Sequence, residues 1–230
     1  GISPEKILKL KANGSRVISA PLPRVFAIFF NQSQSKVLLN KEVRQALNLA
    51  SPKEEIVEKV LGGYGTIISG PLPAGIYSWT TAKKKNLSFD ERLETAKELL
   101  VKAGWRANKE TGILEKKSGN VTIPLSFSIS TGDVPELRQV ASELVSAWQK
   151  LGAEVHTLVF ETGDLNQNVI RTRNFDALLF GEVVGRDRDL YPFWHSSQRT
   201  DPGLNIALYT NSRADKLLDN ARTANDPKVI

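Results

Sequence analysis

The sequence predicts an α/β domain, a mixed sheet with helices packed on its faces. Helix-period and strand-period patterns alternate along most of the 230 residues. Two helix–strand successions fill the second half, and such successions call for at least some parallel pairing. The segment FDALLFGEVV, Phe175 to Val184, is the most apolar strand and is expected at the sheet's centre.

RVFAIFFN, with Val25, Ala27 and Phe29, is apolar and too short for a helix, so it reads as a strand. Asn40 is placed to cap a helix carrying Val43, Ala46, Leu47 and Ala50. Ser51-Pro52-Lys53-Glu54 has the form of a capping box with proline at the first helical position. That second helix ends at Gly62-Gly63, where the chain can turn with positive φ. Tyr64 to Asn86 shows no period and reads as a long irregular crossing. Ser88-Phe89-Asp90-Glu91 is another capping box; its helix carries Leu93, Ala96, Leu99, Leu100 and Ala103 and closes at Gly104.

Ile113 to Val121 predicts a hairpin turning at Ser118-Gly119-Asn120, and Val121 to Ile129 then reads as one alternating strand. Asp133 with Glu136 opens the clearest helix, with Leu137, Val140, Ala141, Leu144, Val145, Trp148 and Leu151 on its face and Gly152 just beyond. Glu154 to Phe160 is a strand, and Asp164 to Thr172 a short helix. Gly185 to Asn211 is irregular, and Asn211 caps a last helix with Ala214, Leu217, Leu218 and Ala221.

Composition narrows the function classes. A chain with 40% hydrophobic and 24% charged residues can build a core without disulfide or metal staples. The net charge of +6 is scattered, and the densest run, Lys83-Lys84-Lys85, has no interleaved aromatic residue, so no nucleic-acid partner is implied. The absence of cysteine excludes disulfides, thiolate zinc sites and thiol catalysis within the chain. No apolar run reaches the roughly 18 residues that suggest a membrane span. With no signal peptide and no methionine, the sequence reads as a processed or excised piece.

The candidates for chemistry are few. His156 alternates within a strand and reads as a structural or surface residue, and no metal-ligand spacing accompanies it. Asp187 and Asp189 alternate with Arg186 and Arg188 and read as ion-paired. The stretch YPFWHSSQ, Tyr191 to Gln198, sets His195 beside Ser196 and Ser197. Chain neighbours seldom place a base on a nucleophile, no serine elbow is present, and no orienting carboxylate is marked. No catalytic residue, metal or cofactor is assigned. Glu182 stands at the carboxyl end of the central strand, where α/β proteins place ligand-binding groups; the alternative is a solvent-facing strand end. The balance favours binding.

Four segments in order, FFNQSQSKVLLNKEVRQALNLASPKEEIVEKVLGGYGT (29–66), FDERLETAKELLVKAGW (89–105), ELRQVASELVSAWQKLGAEV (136–155) and FDALLFGEVVGRDRDLYPFWHSSQ with PGLNIALYTNSRADKLLDNAR (175–222), resemble the family 5 solute-binding proteins of ATP-binding cassette importers, the oligopeptide- and dipeptide-binding group. The resemblance implies a type II periplasmic-binding-protein-like lobe over residues 1–230, without the lobe that the N- and C-terminal parts of such proteins form. It implies a monomer that supplies one wall of a hinged cleft, captures a small solute or peptide, and docks on a membrane permease. The location implied is periplasmic or extracellular, tethered to the membrane where a preceding segment provides an anchor.

By the same resemblance the cleft is lined by Gly181, Glu182, Val183, Val184 and Gly185, by the loop Ser130, Thr131 and Gly132, and by Asn31. Arg171 falls near a position where some relatives use a basic side chain for a ligand carboxylate. Many peptide binders have Gly-Trp in the first segment and an acid three positions after the Trp. Here Glu182 takes the Trp position and Gly185 the acidic one. Two readings follow: Glu182 itself holds a cationic group, or the ligand is not a peptide. YPFW is expected to pack the irregular crossing onto the sheet. A signalling or chaperone-like interaction module, and a hydrolase using His195, stand as the other classes.

Overall fold

A computed structural model describes residues 4–18, 22, 24–68, 70, 87–184 and 189–223. In chain order its first elements are α1 (Pro4–Ala12), β1 (Arg24–Phe30), α2 (Lys41–Leu49), α3 (Lys53–Glu55, running into a π-helical turn Ile56–Val60) and α4 (Phe89–Lys102). Then come β2 (Arg106–Ala107), β3 (Leu114–Ser118), β4 (Val121–Pro124), β5 (Ser126–Gly132), α5 (Pro135–Lys150) and β6 (Glu154–Phe160). The last are α6 (Thr162–Asp164, continued by a π-helical turn Leu165–Ile170), β7 (Ala177–Val183), α7 (Tyr191–Trp194) and α8 (Ser212–Thr223).

The main sheet has the order β1-β7-β5-β6. β5 runs parallel to both β6 and β7, and β1 lies antiparallel to β7. The mixed sheet and the interior place of β7 match the sequence expectation. Ala177 and Leu179 face the larger core, with Trp105, Phe127, Leu144 and Trp148; Leu178 faces a second core with Phe29, Leu165, Val169 and Ile206. A strand buried on both faces is expected to be apolar throughout, which is why the period-2 alternation is missing there.

Trp148 ties the larger core together. Its ring lies 5.7 Å from Phe127 and 6.3 Å from Phe30, and its indole N–H donates to the Leu47 carbonyl at 2.9 Å. Helix α5 is thereby fixed to the end of α2, 101 residues earlier.

Local signals held where geometry left them room. Ser88 Oγ accepts the Glu91 N–H and the Glu91 carboxylate accepts the Ser88 N–H, a complete capping box. Asn211 Oδ1 accepts from the N–H groups of Arg213 and Ala214. The hairpin turns at Gly119-Asn120, with Ser118 opposite Val121 and Gly119 at φ 61°. Residues 64–68 carry neither helix nor strand; most of the crossing expected up to Asn86 lies outside the described residues.

Other expectations are corrected. Ser51 does not cap α3: Pro52 holds the cap position, and Ser51 Oγ donates back to the Leu47 carbonyl at 2.7 Å. Asn40 precedes α2, but its amide donates to the carbonyls of Lys36 and Val37 and caps nothing ahead. Helix α5 starts at Pro135 after Val134, while Asp133 pairs with Arg138. The strand expected over Val121 to Ile129 breaks at Leu125, whose N–H donates to Leu114 and whose carbonyl accepts from Glu154, so β4 and β5 join different sheets. The stretch Gly185 to Asn211 holds a helical turn at α7 and a 3-10 turn at Ser196–Gln198. Helix α8 leaves Leu217 exposed, with Ala214, Leu218 and Ala221 half-buried.

Trp148→Phe keeps the ring stacking but removes the indole bond to the Leu47 carbonyl, which retains its bond from Ser51 Oγ. Urea unfolding is expected to show a loss of about 0.5–1.5 kcal/mol, and Trp148→Ala a loss of about 3–5 kcal/mol. An unchanged midpoint in the Phe variant would mean that the bond adds no net stability.

Candidate ligand-binding site

The parallel register sets which sheet end can meet a ligand. Thr131 lies opposite Leu179, so Gly132 is level with Phe180, and β7 runs on to Glu182 and Val183 beyond it. At this end the helical layers no longer cover the sheet fully. Phe26 is 53% exposed, Val183 58%, Leu158 45% and Val159 40%, an apolar rim at the carboxyl ends of β6 and β7. The Phe26 ring lies across Gly181: a Cβ there would sit 2.7 Å from Phe26 Cε1. Arg24 stacks over the same ring at 5.8 Å.

Glu182 is the acid at this sheet end, on the face opposite Phe26 and Gly181. It pairs across the ladder with Val25 and is half-buried, and its Oε1 is buried without a hydrogen-bond partner. Burial pushes its carboxyl up to about 7, against partial relief from the Arg173 charge. Burial disfavours the anion, and among the described residues no donor reaches Oε1.

Arg173 was not anticipated from the sequence. It adopts φ 58°, rare for a non-glycine residue. Its guanidinium donates to the carbonyls of Ile170 (2.5 Å), Arg199 (3.0 Å) and Gly203 (2.6 Å), and burial pulls its pKa down. Arg173 therefore fastens the loop after the 3-10 turn to the end of α6. Phe26 was also missed as a site residue. The strand reading rested on Val25, Ala27 and Phe29, and gave Phe26 no separate role.

The sequence-predicted site residues fall into two groups. Gly132, Gly181, Glu182 and Val183 gather at the rim, and Val184 is buried beside Val25 and Phe193. Gly185 lies outside the described residues. Ser130 and Thr131 belong to β5 and are buried, with Thr131 Oγ1 donating to the Leu179 carbonyl. Asn31 and Arg171 lie toward the other end of β7. Asn31 is 2% exposed; its N–H donates to Asp176, its Oδ1 accepts from the N–H groups of Ser33 and Gln34, and its Nδ2 donates to the Arg173 carbonyl. Arg171 pairs with Asp201 at 3.1 Å. The structure does not bring these two to the rim.

His195 does meet its serine neighbour, contrary to the sequence argument. Nδ1 accepts the Ser197 backbone N–H at 3.1 Å and lies 2.8 Å from Ser197 Oγ; Nε2 is 3.7 Å from Asp219. Tyr191 stacks on the imidazole at 4.1 Å, and the Tyr191 hydroxyl and Gln198 Nε2 also reach Ser197 Oγ. His195 Nδ1 and Ser197 Oγ are thus each engaged by neighbours, as in a packed corner. Phe193 beneath it is buried with Val25 and Val184, so YPFW packs the crossing onto the sheet as expected. Asp189 pairs with Arg222; Arg186, Asp187 and Arg188 lie outside the described residues. His156 is exposed on β6. Among the described residues no cluster of metal-ligating side chains occurs. A groove of about 380 Å³ between α4, β3 and the end of α5 lies at the sheet end away from Glu182.

The fold and this rim define the class: an α/β lobe of the periplasmic-binding-protein type. The chain belongs to the bacterial extracellular solute-binding proteins, family 5, whose middle-region model matches residues 1–202. It is 32% identical to the oligopeptide-binding protein AppA of Bacillus subtilis over 198 residues, 85% of this chain and 35% of that protein. Heme-binding protein A of Haemophilus influenzae is 29% identical across 79% of this chain and 31% of its own length. AppA in complex with a nonapeptide superposes with a TM-score of 0.82 at 28% identity, covering 98% of this chain and 44% of that one. NikZ from Campylobacter jejuni, in complex with Ni(L-His), gives 0.79 at 26% identity, covering 99% and 44%. The chain thus spans about a third of the length of these two curated relatives.

The raised Glu182 pKa fixes a sign for stability. Between the ordinary value of 4.5 and about 7, the folded chain holds a proton that the unfolded chain has released. Stability therefore falls as pH rises through this window, and the loss is complete above it. Glu182→Gln removes the effect. Urea unfolding is expected to show near-equal stability at about pH 5 and a gain of about 2 kcal/mol in the variant at about pH 8. Equal stabilities at both pH values would contradict the burial argument.

Proposed function

We propose that the chain forms one wall of a hinged cleft that captures peptides outside the cytoplasm for an ATP-binding cassette importer. The observation that carries this is the set of exposed apolar side chains at the carboxyl ends of β6 and β7, with Glu182 at the same strand end on the opposite face from Phe26. Exposed strand ends beside apolar platforms suit an extended ligand that bonds through its backbone. The likeness to AppA, solved with a nonapeptide, supports a peptide as the solute.

Residues 1–230 act here as one lobe, and a second lobe of a longer protein closes over the rim by hinge motion. Gly132, Gly181, Glu182 and Val183 then line the cleft, with Phe26 as an added platform. Val184, Ser130 and Thr131 back that wall from inside, and Asn31 and Arg171 hold the frame behind it. The closed form docks on a membrane permease from the periplasmic or extracellular side. The protein binds and delivers without transforming its ligand, and takes no cofactor.

Calorimetry of the full-length protein against di- to pentapeptides is expected to give saturable heat; no heat with any of them would remove the peptide claim. Phe26→Ala strips the exposed platform while leaving the core in place. It is expected to weaken peptide binding by about tenfold, the scale of one buried apolar contact. Unchanged affinity would place Phe26 outside the wall.

A further inference from the structure

The groove between α4, β3 and the end of α5 lies apart from the cleft wall and is built differently. Val101, Trp105, Leu114 and Leu151 give it apolar walls. Trp105, Leu114 and Leu151 belong to the larger core, so these walls are the outer side of that core. Two glycines shape the rest. Gly112 has φ 75° and Gly152 φ 93°, a conformation that other residues rarely adopt. A Cβ at Gly152 would also sit 2.9 Å from Leu114 Cγ. The volume of about 380 Å³ falls within the range of small-molecule sites. A protein partner needs a patch of about 800 Å², so the groove suits a short chain better than a protein surface.

The charge around it is one-sided. Lys97, Arg106 and Lys150 line the groove, and among the described lining residues none is acidic. Lys97 shares an exposed pair with Glu94 at 2.8 Å. Arg106 gives Nη1 to the carbonyls of Val101 and Trp105, which are neutral and leave its charge unbalanced. Lys150 Nζ lies over the Phe89 ring at 5.8 Å. The neighbouring acids are engaged elsewhere: Glu98 pairs with Lys102, and Glu115 accepts from Asn108. Long cationic side chains lay their stems along apolar surface and keep their heads in water. The groove thus combines an apolar floor with a cationic mouth.

We propose that this groove is a second binding site, for a small amphipathic carboxylate. A short aliphatic chain lies against Val101, Trp105 and Leu114, and its carboxylate meets Lys97, Arg106 and Lys150 at the mouth. The site is independent of peptide capture at the other end of the sheet. Burial of the chain supplies most of the attraction. The cations are exposed, so they choose the head group by a modest and salt-sensitive margin.

The Trp105 indole N–H has no partner, so its resonance is set by the packing around it and reports on the groove. The test is an NMR titration of the full-length protein carrying ¹⁵N-tryptophan, with the Trp105 signal assigned from Trp105→Phe. Octanoate is expected to shift that signal saturably. Octanamide, with the same chain and no charge, is expected to bind about fivefold more weakly. Salt at about 0.5 M is expected to remove the difference between the two. Acetate, which has the charge without the chain, is expected to leave the signal in place. Val101 is 48% exposed, so Val101→Tyr fills the groove from its outer side and is expected to abolish the shift. Lys150→Glu, at the mouth, is expected to weaken octanoate while leaving octanamide unchanged. Peptide heat is expected to be the same in both variants. A Trp105 signal that octanoate does not move, equal affinity for octanoate and octanamide, or a shift that persists in Val101→Tyr would each overturn the proposal. Movement of other indole signals alone would place octanoate elsewhere and overturn it too.

Discussion

The structure depends on keeping one strand dry on both faces. β7 is paired along both edges and pressed between two apolar layers. Ala177, Leu178 and Leu179 leave no room for a polar side chain, since one buried there would lie far from water and from any free backbone group. Polarity can begin only where the layers end. That point is Gly181-Glu182: the glycine lets Phe26 lie across the strand, and the next residue is an acid. The place of the candidate ligand group is thus a consequence of how the core is built. The same logic separates the two ends of the sheet. Near the start of β7 the polar residues Asn31 and Arg173 are bonded into the frame, whereas past its middle the rim stays open.

Much of this was legible in the sequence because single signals decided it. The segment FDALLFGEVV read as the most apolar strand of the chain, expected at the sheet's centre, and the structure places it there. The Ser88 capping box formed because nothing else competed for its hydroxyl. At Ser51 the same motif failed, since the Leu47 carbonyl at the end of α2 was nearer to hand and took the hydroxyl. The break at Leu125 had no local mark. Residues on both sides alternate alike, and the break exists because Leu125 bonds to Leu114 on one side and Glu154 on the other. Those are long-range partners that no window of sequence contains.

The site divides along the same line. Glu182 stood out as a lone acid ending an apolar strand, and that signal survives because burial leaves the acid unpaired. Asn31 and Arg171 were read as ligand groups from their type and their place by resemblance. Type alone does not tell whether a polar atom is already taken. Asn31 engages both its side-chain atoms and its N–H inside the chain, and Arg171 holds Asp201. YPFWHSSQ carried the densest chemistry in the sequence, and in the fold its His195, Ser197 and Tyr191 bond or stack on one another, with Asp219 of α8 at 3.7 Å from the imidazole.

Satisfied polar groups build the frame, so the unsatisfied ones are the informative ones. Among the described residues two buried side-chain atoms lack partners, the Trp105 indole N–H and Glu182 Oε1. They are not equivalent. The indole is neutral at any ordinary pH, sits 1% exposed in the larger core, and costs the fold one missing hydrogen bond. Glu182 can change its charge. Its burial penalty falls on the ionised form alone. An orphan neutral donor in a core is a fixed cost of packing. An orphan acid at an open strand end carries a cost that depends on pH, through its own protonation.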